Sequence, residues 1–208
     1  MKNELQSVIS GKSKVRHGAA IQAAASYLKR SQRTSTLAKD SKRYKKQETE
    51  ALKDYITKNN LLFLDVEIEN YVSEGAEQKV YLKDEKNVIK LNDAIFYNSW
   101  EDYLNNLLLH NYFFPDTAYE LLGFYNQDNS IFAVVNQPFV RATEKTDLLG
   151  VKKFMLENGF INNKNNDYYN PDLDIILEDL HDENVLTENG VLQFIDTVFY
   201  IKEKFYKL

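Results

Sequence analysis

Cysteine is missing from this sequence of 208 residues. Disulfide bonds and thiolate chemistry are therefore excluded, and a reducing compartment is compatible with the composition. The three histidines, His17, His110 and His181, are too scattered to provide metal-ligand spacing, and without cysteine a structural zinc site is not expected. The sequence also lacks a Gly-x-Ser-x-Gly elbow and a Walker lysine loop, so neither of these signatures of catalysis is available.

Long apolar runs are also missing. No run approaches the length of about 18 apolar residues that a membrane-spanning helix needs, and the N-terminus has no apolar run of signal-peptide length. We therefore expect a cytoplasmic protein with no membrane partner. With 43% apolar and 27% charged residues, the composition is that of an ordinary globular protein, and the length suits one domain with room for a small appendage.

The charge is divided unevenly along the chain. Residues 1–60 contain 14 Lys and Arg against five Asp and Glu, whereas the remainder contains 12 against 26. This split predicts two parts, a basic helical N-terminal segment at 1–60 and a domain at 61–208. The basic cluster at 42–46 has two interpretations: contact with nucleic-acid phosphates, or a solvated helix face that balances the acidic remainder. No base-reading motif accompanies the cluster.

Hydrophobic periodicity predicts an α+β protein. Residues 1–13 are expected to be loosely structured, and apolar residues at helical spacing then predict helices over 15–30 and 37–59 that form a hairpin. Beyond these helices, short runs typical of strands occur at 61–68, 72, 80–82, 88–91, 118–125 and 131–137. A helix predicted over 99–111 interrupts them. The expected result is a five-stranded antiparallel sheet with one crossing helix.

Three polar residues of the C-terminal part suggest a chemistry. They follow a helix predicted over 147–158, an Asn-rich loop at 162–170 and a strand at 173–177. Asp179 and Asn184 lie five residues apart, and Asp196 comes twelve residues later. Phosphoryl transfer uses such groups, because one carboxylate orients the attacking hydroxyl while an amide oxygen and a second carboxylate hold magnesium on the phosphates. An acidic hairpin that happens to contain an Asn is the alternative.

A second group of residues lies upstream. Gly75 is predicted in a turn, Val80 in the strand that follows, and Lys90 in the next strand. The kinase pattern is G-x-G-x-x-G-x-V followed by V-A-I-K, in which the lysine contacts nucleotide phosphates. Here only the middle glycine is present, with Ser73 and Gln78 in the outer two places. A turn with one glycine and a solvated strand lysine are the simpler interpretation of the same residues.

In their order along the chain, these residues resemble the protein-kinase-like phosphotransferase superfamily over about residues 65–200. The Leu-His-x-x-Asn-Val-Leu run at 180–186 is more similar to that of aminoglycoside and small-molecule phosphotransferases than to the His-Arg-Asp loop of eukaryotic protein kinases. The nearest family is the serine/threonine/tyrosine kinase domain of bacterial polyvalent proteins, which belong to conjugative elements and phages. The resemblance implies a truncated kinase-like fold, with an N-lobe at about 61–137 and a reduced C-terminal part at about 138–208.

The resemblance implies a role for each residue of the pattern. Asp179 would orient the acceptor hydroxyl and take its proton, and Lys90 would contact the α- and β-phosphates of ATP. Asn184 and Asp196 would hold Mg²⁺. The other contacts with the nucleotide site would come from Gly75, Val80, Gln137, Phe139 and Glu101.

Some of these roles have alternatives. Glu101 would act by pairing with Lys90 and is preferred over Asp102 for this role, although an exposed first-turn acid favoured by the helix dipole is the more common role of either residue. Gln137 and Phe139 flank a proline in the place of a kinase hinge, and an edge strand that ends at the proline predicts the same residues. His181 would orient the catalytic loop by bonding the backbone or Asp196.

Several features depart from the kinase pattern. Leu177 and Glu178 replace the His-Arg that precedes the catalytic Asp, and Thr197 replaces the Phe of Asp-Phe-Gly. Only twelve residues follow Asp196, which is too few for an activation segment and a large helical substrate lobe. We therefore expect either a substrate platform that is built differently, from the N-terminal hairpin or a second subunit, or a domain that binds nucleotide without much turnover.

The leading functional hypothesis is ATP- and Mg²⁺-dependent transfer of the γ-phosphoryl group to the hydroxyl of a protein or small-molecule acceptor. A nucleotide-binding pseudokinase that recognises a partner is the first alternative. The second is an accessory protein of a mobile genetic element that contacts nucleic acid through its basic N-terminus.

Overall fold

The computed structural model describes residues 1–32, 41–64, 70–75, 78–128 and 130–207, and the side chains of residues 32 and 41–43 lie outside this description. The helices are α1 (Lys2–Ile9), α2 (Gly18–Gln32), α3 (Ser41–Lys58), α4 (Trp100–Phe113) and α5 (Leu148–Glu157). The strands are β1 (Tyr71–Glu74), β2 (Gln78–Leu82), β3 (Asn87–Asn92), β4 (Glu120–Gln127), β5 (Ser130–Pro138), β6 (Ile161–Lys164), β7 (Asp167–Asn170), β8 (Ile175–Glu178), β9 (Val185–Glu188), β10 (Val191–Phe194) and β11 (Val198–Ile201). No helix within these ranges has the length and apolar character needed to cross a membrane.

An antiparallel five-stranded sheet in the order β1-β2-β3-β5-β4 follows the N-terminal helices. The α+β class and the antiparallel sheet predicted from the sequence are confirmed. Val80 pairs with Lys90, Lys90 with Val135, and Val88 with Gln137. Because directly paired residues and every second residue of a strand share one face, these five side chains lie on the same face of the sheet.

The predicted strand at 61–68 is only partly described. Leu62 forms an isolated bridge with Phe124 of β4 and belongs to no strand, so the prediction is wrong there. Residues 65–69 lie outside the described residues. The close approach of Leu61 to β4 explains why residue 123 is a glycine. A Cβ added to Gly123, which has a φ of +158°, would lie 2.5 Å from the carbonyl oxygen of Leu61.

Helix α4 crosses the centre of the molecule. Ser99 begins it, since its hydroxyl accepts the backbone N–H of Asp102 at 2.9 Å, and Pro115 follows its end. The helix is apolar on several sides, and it is buried between α1 and α2 and the strand β11. Its fully buried leucines are Leu104, Leu107, Leu108 and Leu109.

Residues 2–9 form helix α1, so the expectation that residues 1–13 are loosely structured is wrong there. Leu5, Val8 and Ile9 are buried and follow the i, i+3, i+4 spacing of one helical face. This face packs against α4, and Tyr112 of α4 donates a 2.8 Å hydrogen bond to the Glu4 carboxylate. A helix this short is marginal in water, so packing supplies its stability. Helices α2 and α3 pack against each other and against α4, as the predicted hairpin requires.

The C-terminal part contains a four-stranded sheet, β11-β8-β7-β6, and the separate hairpin β9–β10. The Asn-rich segment predicted as a loop at 162–170 is instead the hairpin β6–β7. Its turn forms because Asn162 Nδ2 donates to the carbonyls of Asn165 and Asp167, and Asn165 tolerates the left-handed φ of +47°. Asparagine therefore builds the turn here and does not prevent the strands.

The residues after Asp196 return to the core. Strand β11 pairs with β8, and the 3-10 turn at Glu203–Tyr206 buries Phe205 beside α1. Lys2 Nζ donates a 2.7 Å hydrogen bond to the carbonyl of Lys204. The segment that follows Asp196 thus closes the core against the N-terminal helix.

Candidate functional site

A cleft of about 460 Å³ lies between the five-stranded sheet and the hairpin β9–β10. Most of the site residues predicted from the sequence line it, and they come from distant parts of the chain. These lining residues are Gly75, Val80, Lys90, Gln137, Phe139, Asn184 and Asp196. Of the predicted residues, Asp179 and Glu101 lie outside the lining.

Lys90 lies at the inner end of the cleft. Its side chain is buried, and its Nζ donates a 2.8 Å hydrogen bond to the carbonyl of Ile195. The hydroxyl of Tyr119 donates to the same carbonyl at 2.9 Å, and the Tyr119 ring lies 5.5 Å from the ammonium. Loss of hydration on burial lowers the pKa of Lys90, and the charge of Asp196 opposes this effect.

The ion pair predicted between Lys90 and Glu101 does not form. Glu101 pairs with Lys29 of α2 at 3.5 Å, and neither it nor Asp102 forms an ion pair with Lys90 among the described residues. The reason is the placement of the first turn of α4. Its backbone N–H at Trp100 donates to the buried Glu48 carboxylate of α3 at 2.7 Å, so this turn lies against the N-terminal helices.

Asp179 and Asn184 are directly connected. Asn184 Nδ2 donates to the backbone carbonyl of Asp179 at 2.8 Å and to its carboxylate at 2.9 Å. Asp179 has a left-handed φ of +68°, and its N–H donates to the Asp167 carboxylate at 3.1 Å. Because the Asp179 side chain is 58% exposed, its carboxylate is accessible to an acceptor molecule from solvent.

Asn184 is also connected to Asp196. The backbone carbonyl of Asn184 accepts the N–H groups of Ile195 at 2.9 Å and Asp196 at 3.3 Å. These bonds extend the β9–β10 hairpin, in which Phe194 pairs with Val185. The hairpin therefore brings Asp196 beside Asn184 although twelve residues separate them.

His181 lies inside the loop between Asp179 and Asn184. Its Nδ1 accepts the N–H of Glu183 at 3.2 Å, and its Nε2 lies 3.3 Å from the Asp179 carboxylate. The predicted backbone bond is present, whereas the alternative bond to Asp196 does not occur among the described residues. His181 thus orients the loop around Asp179.

Gln78 is a site residue that sequence reasoning missed. It opens β2 directly after the Gly75 turn, and its Nε2 donates to the Asp196 carboxylate. Its position at the third glycine of the kinase pattern was the available signal. The other carboxylate oxygen of Asp196 and the amide oxygen of Asn184 accept no hydrogen bond from the described residues.

Val88 and Leu186 are among the apolar lining residues that were also missed. Val88 precedes Lys90 by two positions on β3, and Leu186 follows Asn184 by two positions on β9. Strand period would have identified both, because every second residue of a strand faces the same side. Together with Val80 they give one region of the cleft an apolar lining.

The hinge region has little free backbone. Pro138 carries no N–H, and the N–H of Phe139 donates to the carbonyl of Lys86 at 2.7 Å. Gln137, immediately before them, is buried, and its Nε2 donates to the carbonyl of Thr117 at 2.8 Å. Gln137 and Phe139 therefore reach the cleft as predicted, but the Phe139 N–H is already occupied.

A buried histidine ties α4 to the residue after Asp196. His110 Nε2 lies 3.0 Å from the carbonyl of Thr117, and its Nδ1 lies 2.7 Å from the Thr197 hydroxyl. Burial lowers the pKa of His110 to about 3, so the ring is neutral at physiological pH. Since a carbonyl can only accept, Nε2 carries the proton and Nδ1 accepts from Thr197.

The basic cluster at 42–46 is only partly described. Lys45 is turned inward, where its Nζ donates to the carbonyls of Ala94 and, at 2.8 Å, Tyr97. Lys46 is exposed, and the side chains of residues 42 and 43 lie outside the description. Lys45 therefore forms hydrogen bonds within the protein. Contact with nucleic acid through the rest of the cluster stays a prediction.

Comparison with known families adds an independent observation. A family model described as "Serine/Threonine/Tyrosine Kinase found in polyvalent proteins" matches residues 45–203. No curated protein and no solved structure matches the chain.

Proposed function

The chain belongs to the family of serine/threonine/tyrosine kinases found in polyvalent proteins, and we propose that it is an ATP- and Mg²⁺-dependent kinase with a truncated kinase-like fold. It transfers the γ-phosphoryl group of ATP to the hydroxyl of an acceptor. The observation that carries the proposal is the hydrogen bond between Lys90 Nζ and the Ile195 carbonyl. This bond holds a buried ammonium beside Asp196 in a cleft that Gly75 also lines.

The cleft is lined by both apolar and charged side chains, and a nucleotide needs both. Val80, Val88 and Leu186 offer an apolar region for the base. Lys90 and Asp196 provide the charged region, where the ammonium contacts phosphate oxygens. Gly75 borders the cleft, and a Cβ added there would meet no heavy atom within 4 Å, so the turn leaves open space beside it for the phosphates.

The oxygen atoms of Asn184 and Asp196 fit a magnesium ion. One oxygen of each side chain accepts no hydrogen bond from the described residues, and magnesium prefers hard oxygen ligands with only one or two from protein. No group of three or more His, Cys, Asp or Glu side chains suited to a metal occurs in the described part of the chain. When bound, the ion would neutralise negative charge on the phosphates.

Asp179 provides the base for the acceptor hydroxyl. It is exposed at the end of β8 and is held by Asn184 and His181. These contacts orient its carboxylate, which accepts the proton of the attacking hydroxyl as the new P–O bond forms. Catalysis would thus depend mainly on positioning, with no covalent enzyme intermediate.

The proposal is tested by thermal stability and by phosphoryl transfer. ATP with Mg²⁺ should raise the unfolding temperature of the wild type, and this shift should weaken in Lys90→Ala and Asp196→Ala. Lys83→Ala is the matched control, because Lys83 is exposed outside the cleft lining, and it should keep the full shift. Release of ADP with a hydroxyl acceptor should disappear in Asp179→Ala while nucleotide binding remains. Equal shifts in all variants would refute the nucleotide site.

A pseudokinase is the second candidate function, and two observations favour it. Gln78 occupies one of the two Asp196 oxygens on which a magnesium ion could be held, and Asp179 lies outside the cleft lining. Such a site could bind nucleotide without turnover. Nucleotide binding without ADP release, even with an excess of acceptor, would support this alternative over the kinase.

A further inference from the structure

The side-chain amide of Gln137 has a fixed orientation. Gln137 is 1% exposed, and its Nε2 donates to the carbonyl of Thr117 at 2.8 Å. A carbonyl can only accept a hydrogen bond, so the NH₂ end of the amide must face Thr117. The same carbonyl accepts from His110 Nε2, and this second contact fixes its position. The Oε1 end of Gln137 therefore points away from Thr117.

The Oε1 of Gln137 faces the cleft. It accepts no hydrogen bond from any described residue. In the described part of the chain, every side-chain nitrogen or oxygen that is fully enclosed has a hydrogen-bond partner. An Oε1 without a partner must consequently retain access to open space, and the open space that Gln137 borders is the cleft. Gln137 thus presents a single acceptor atom to a ligand.

The two residues that follow Gln137 offer no free backbone donor. Pro138 has no N–H, and the N–H of Phe139 is bonded to the Lys86 carbonyl. Gln137 pairs across the sheet with Val88, which lies two positions from Lys90 on the same face of β3. A nucleotide with its phosphates at Lys90 and its base against Val88 would therefore have the edge of the base beside Gln137.

We propose that Gln137 selects adenine over 6-oxopurines by accepting a hydrogen bond from the 6-amino group at Oε1. This inference rests on the proposed nucleotide site. Adenine presents a donor at position 6, whereas hypoxanthine and guanine present a carbonyl acceptor there. A 6-oxopurine would place its carbonyl oxygen against Oε1, so that two acceptors face each other without a proton between them, and leaving polar atoms unpaired on binding gives strong discrimination.

The test compares ATP with inosine triphosphate (ITP) and purine riboside triphosphate, each with Mg²⁺, by calorimetric titration of the full chain. The wild type should bind ITP about tenfold or more weakly than ATP, as expected for one lost hydrogen bond to a buried group. Purine riboside triphosphate, with hydrogen at position 6, should bind with intermediate affinity. In Gln137→Leu the three affinities should converge. In the control Val80→Ala, all three should weaken while their order is kept.

The failures of the two proposals are distinguishable. Equal affinity of ATP and ITP in a wild type whose binding is lost in Lys90→Ala would refute base selection by Gln137 and leave the nucleotide site intact. A preference for ATP that survives in Gln137→Leu would also refute it. If Gln137→Leu does not fold, the wild-type order of the three triphosphates decides alone. Absence of binding by every triphosphate would refute both proposals.

Discussion

Lys90 Nζ donates a 2.8 Å hydrogen bond to the carbonyl of Ile195, the residue immediately before Asp196. The lysine is on the central strand of the sheet, and Asp196 follows the last strand of the separate hairpin. This hydrogen bond therefore joins the two walls of the cleft. In this chain a backbone carbonyl holds the lysine, and Glu101 at the start of α4 pairs with Lys29 instead.

The first prediction separates the role of Lys90 in binding from its role in stability. Burial disfavours the charged ammonium, and Tyr119 would still donate to the Ile195 carbonyl if the lysine were replaced. Lys90→Met, which keeps most of the volume, should leave the unfolding free energy without nucleotide within about 1 kcal/mol of the wild type or higher. The stabilisation by ATP and Mg²⁺ should be lost. Lys83→Met serves as the exposed control, and a large loss of stability in Lys90→Met would contradict this account.

Local spacing in the sequence predicted much of the site. Gly75, Val80 and Lys90 were placed in a turn and two strands by alternation and turn residues, and they line one cleft. Asp179 and Asn184 were placed by their five-residue separation, and a hydrogen bond connects them. The resemblance to kinases of polyvalent proteins is confirmed as well. These placements could be predicted because the spacing of the residues in the sequence also determines the local backbone structure.

Contacts between residues that are distant in the sequence could not be predicted from local spacing. The pairing of Glu101 depends on where the first turn of α4 lies, and Glu48 and Lys29 on two other helices determine it. Helix α1 was missed because its stripe of three apolar residues is too short to give a clear period before it packs. The bond between Gln78 and Asp196 joins residues 118 positions apart, and no local pattern specifies it.

The second prediction concerns the bond between Gln78 and Asp196. Gln78 donates to a carboxylate oxygen that is also available to a magnesium ion, so the two compete. Gln78→Ala should lower the Mg²⁺ concentration needed for half-maximal ATP-dependent stabilisation several-fold, because a charge-assisted hydrogen bond no longer has to be broken. Gln127→Ala, at the exposed end of β4, is the control. A higher Mg²⁺ requirement in Gln78→Ala would show that Gln78 assists metal binding.

The third prediction uses the buried Glu48 carboxyl. Burial raises the pKa of Glu48 from 4.5 to about 7, although the N–H of Trp100 bonds to it. The folded state therefore binds the proton more tightly than the unfolded state, and this contribution to stability is fully present below about 4.5 and is lost as the pH rises through about 7.

Glu48→Gln removes this titration and keeps an acceptor for the backbone N–H. Its unfolding free energy relative to the wild type should increase by about 2–3 kcal/mol between about pH 5 and pH 8. Taking the difference between the two proteins cancels the opposite effect of His110, whose lowered pKa makes stability fall in acid. Glu50→Gln, on the exposed side of α3, should show no such change. A difference that is independent of pH would mean that Glu48 titrates normally in the folded state.

The fourth prediction assigns a positioning role to Thr197. Its hydroxyl donates to His110 Nδ1 at 2.7 Å, and this bond anchors to α4 the residue that directly follows Asp196. Thr197→Val has nearly the same shape but leaves the buried imidazole nitrogen unpaired, which should cost about 1–3 kcal/mol of stability. Thr197→Ser retains the hydroxyl and should restore most of the loss. If the anchor also positions Asp196, the Mg²⁺ requirement for ATP binding should rise in Thr197→Val and recover in Thr197→Ser. Loss of stability with an unchanged Mg²⁺ requirement would restrict Thr197 to a structural role, since the metal-binding carboxylate would then keep its position without the bond to α4.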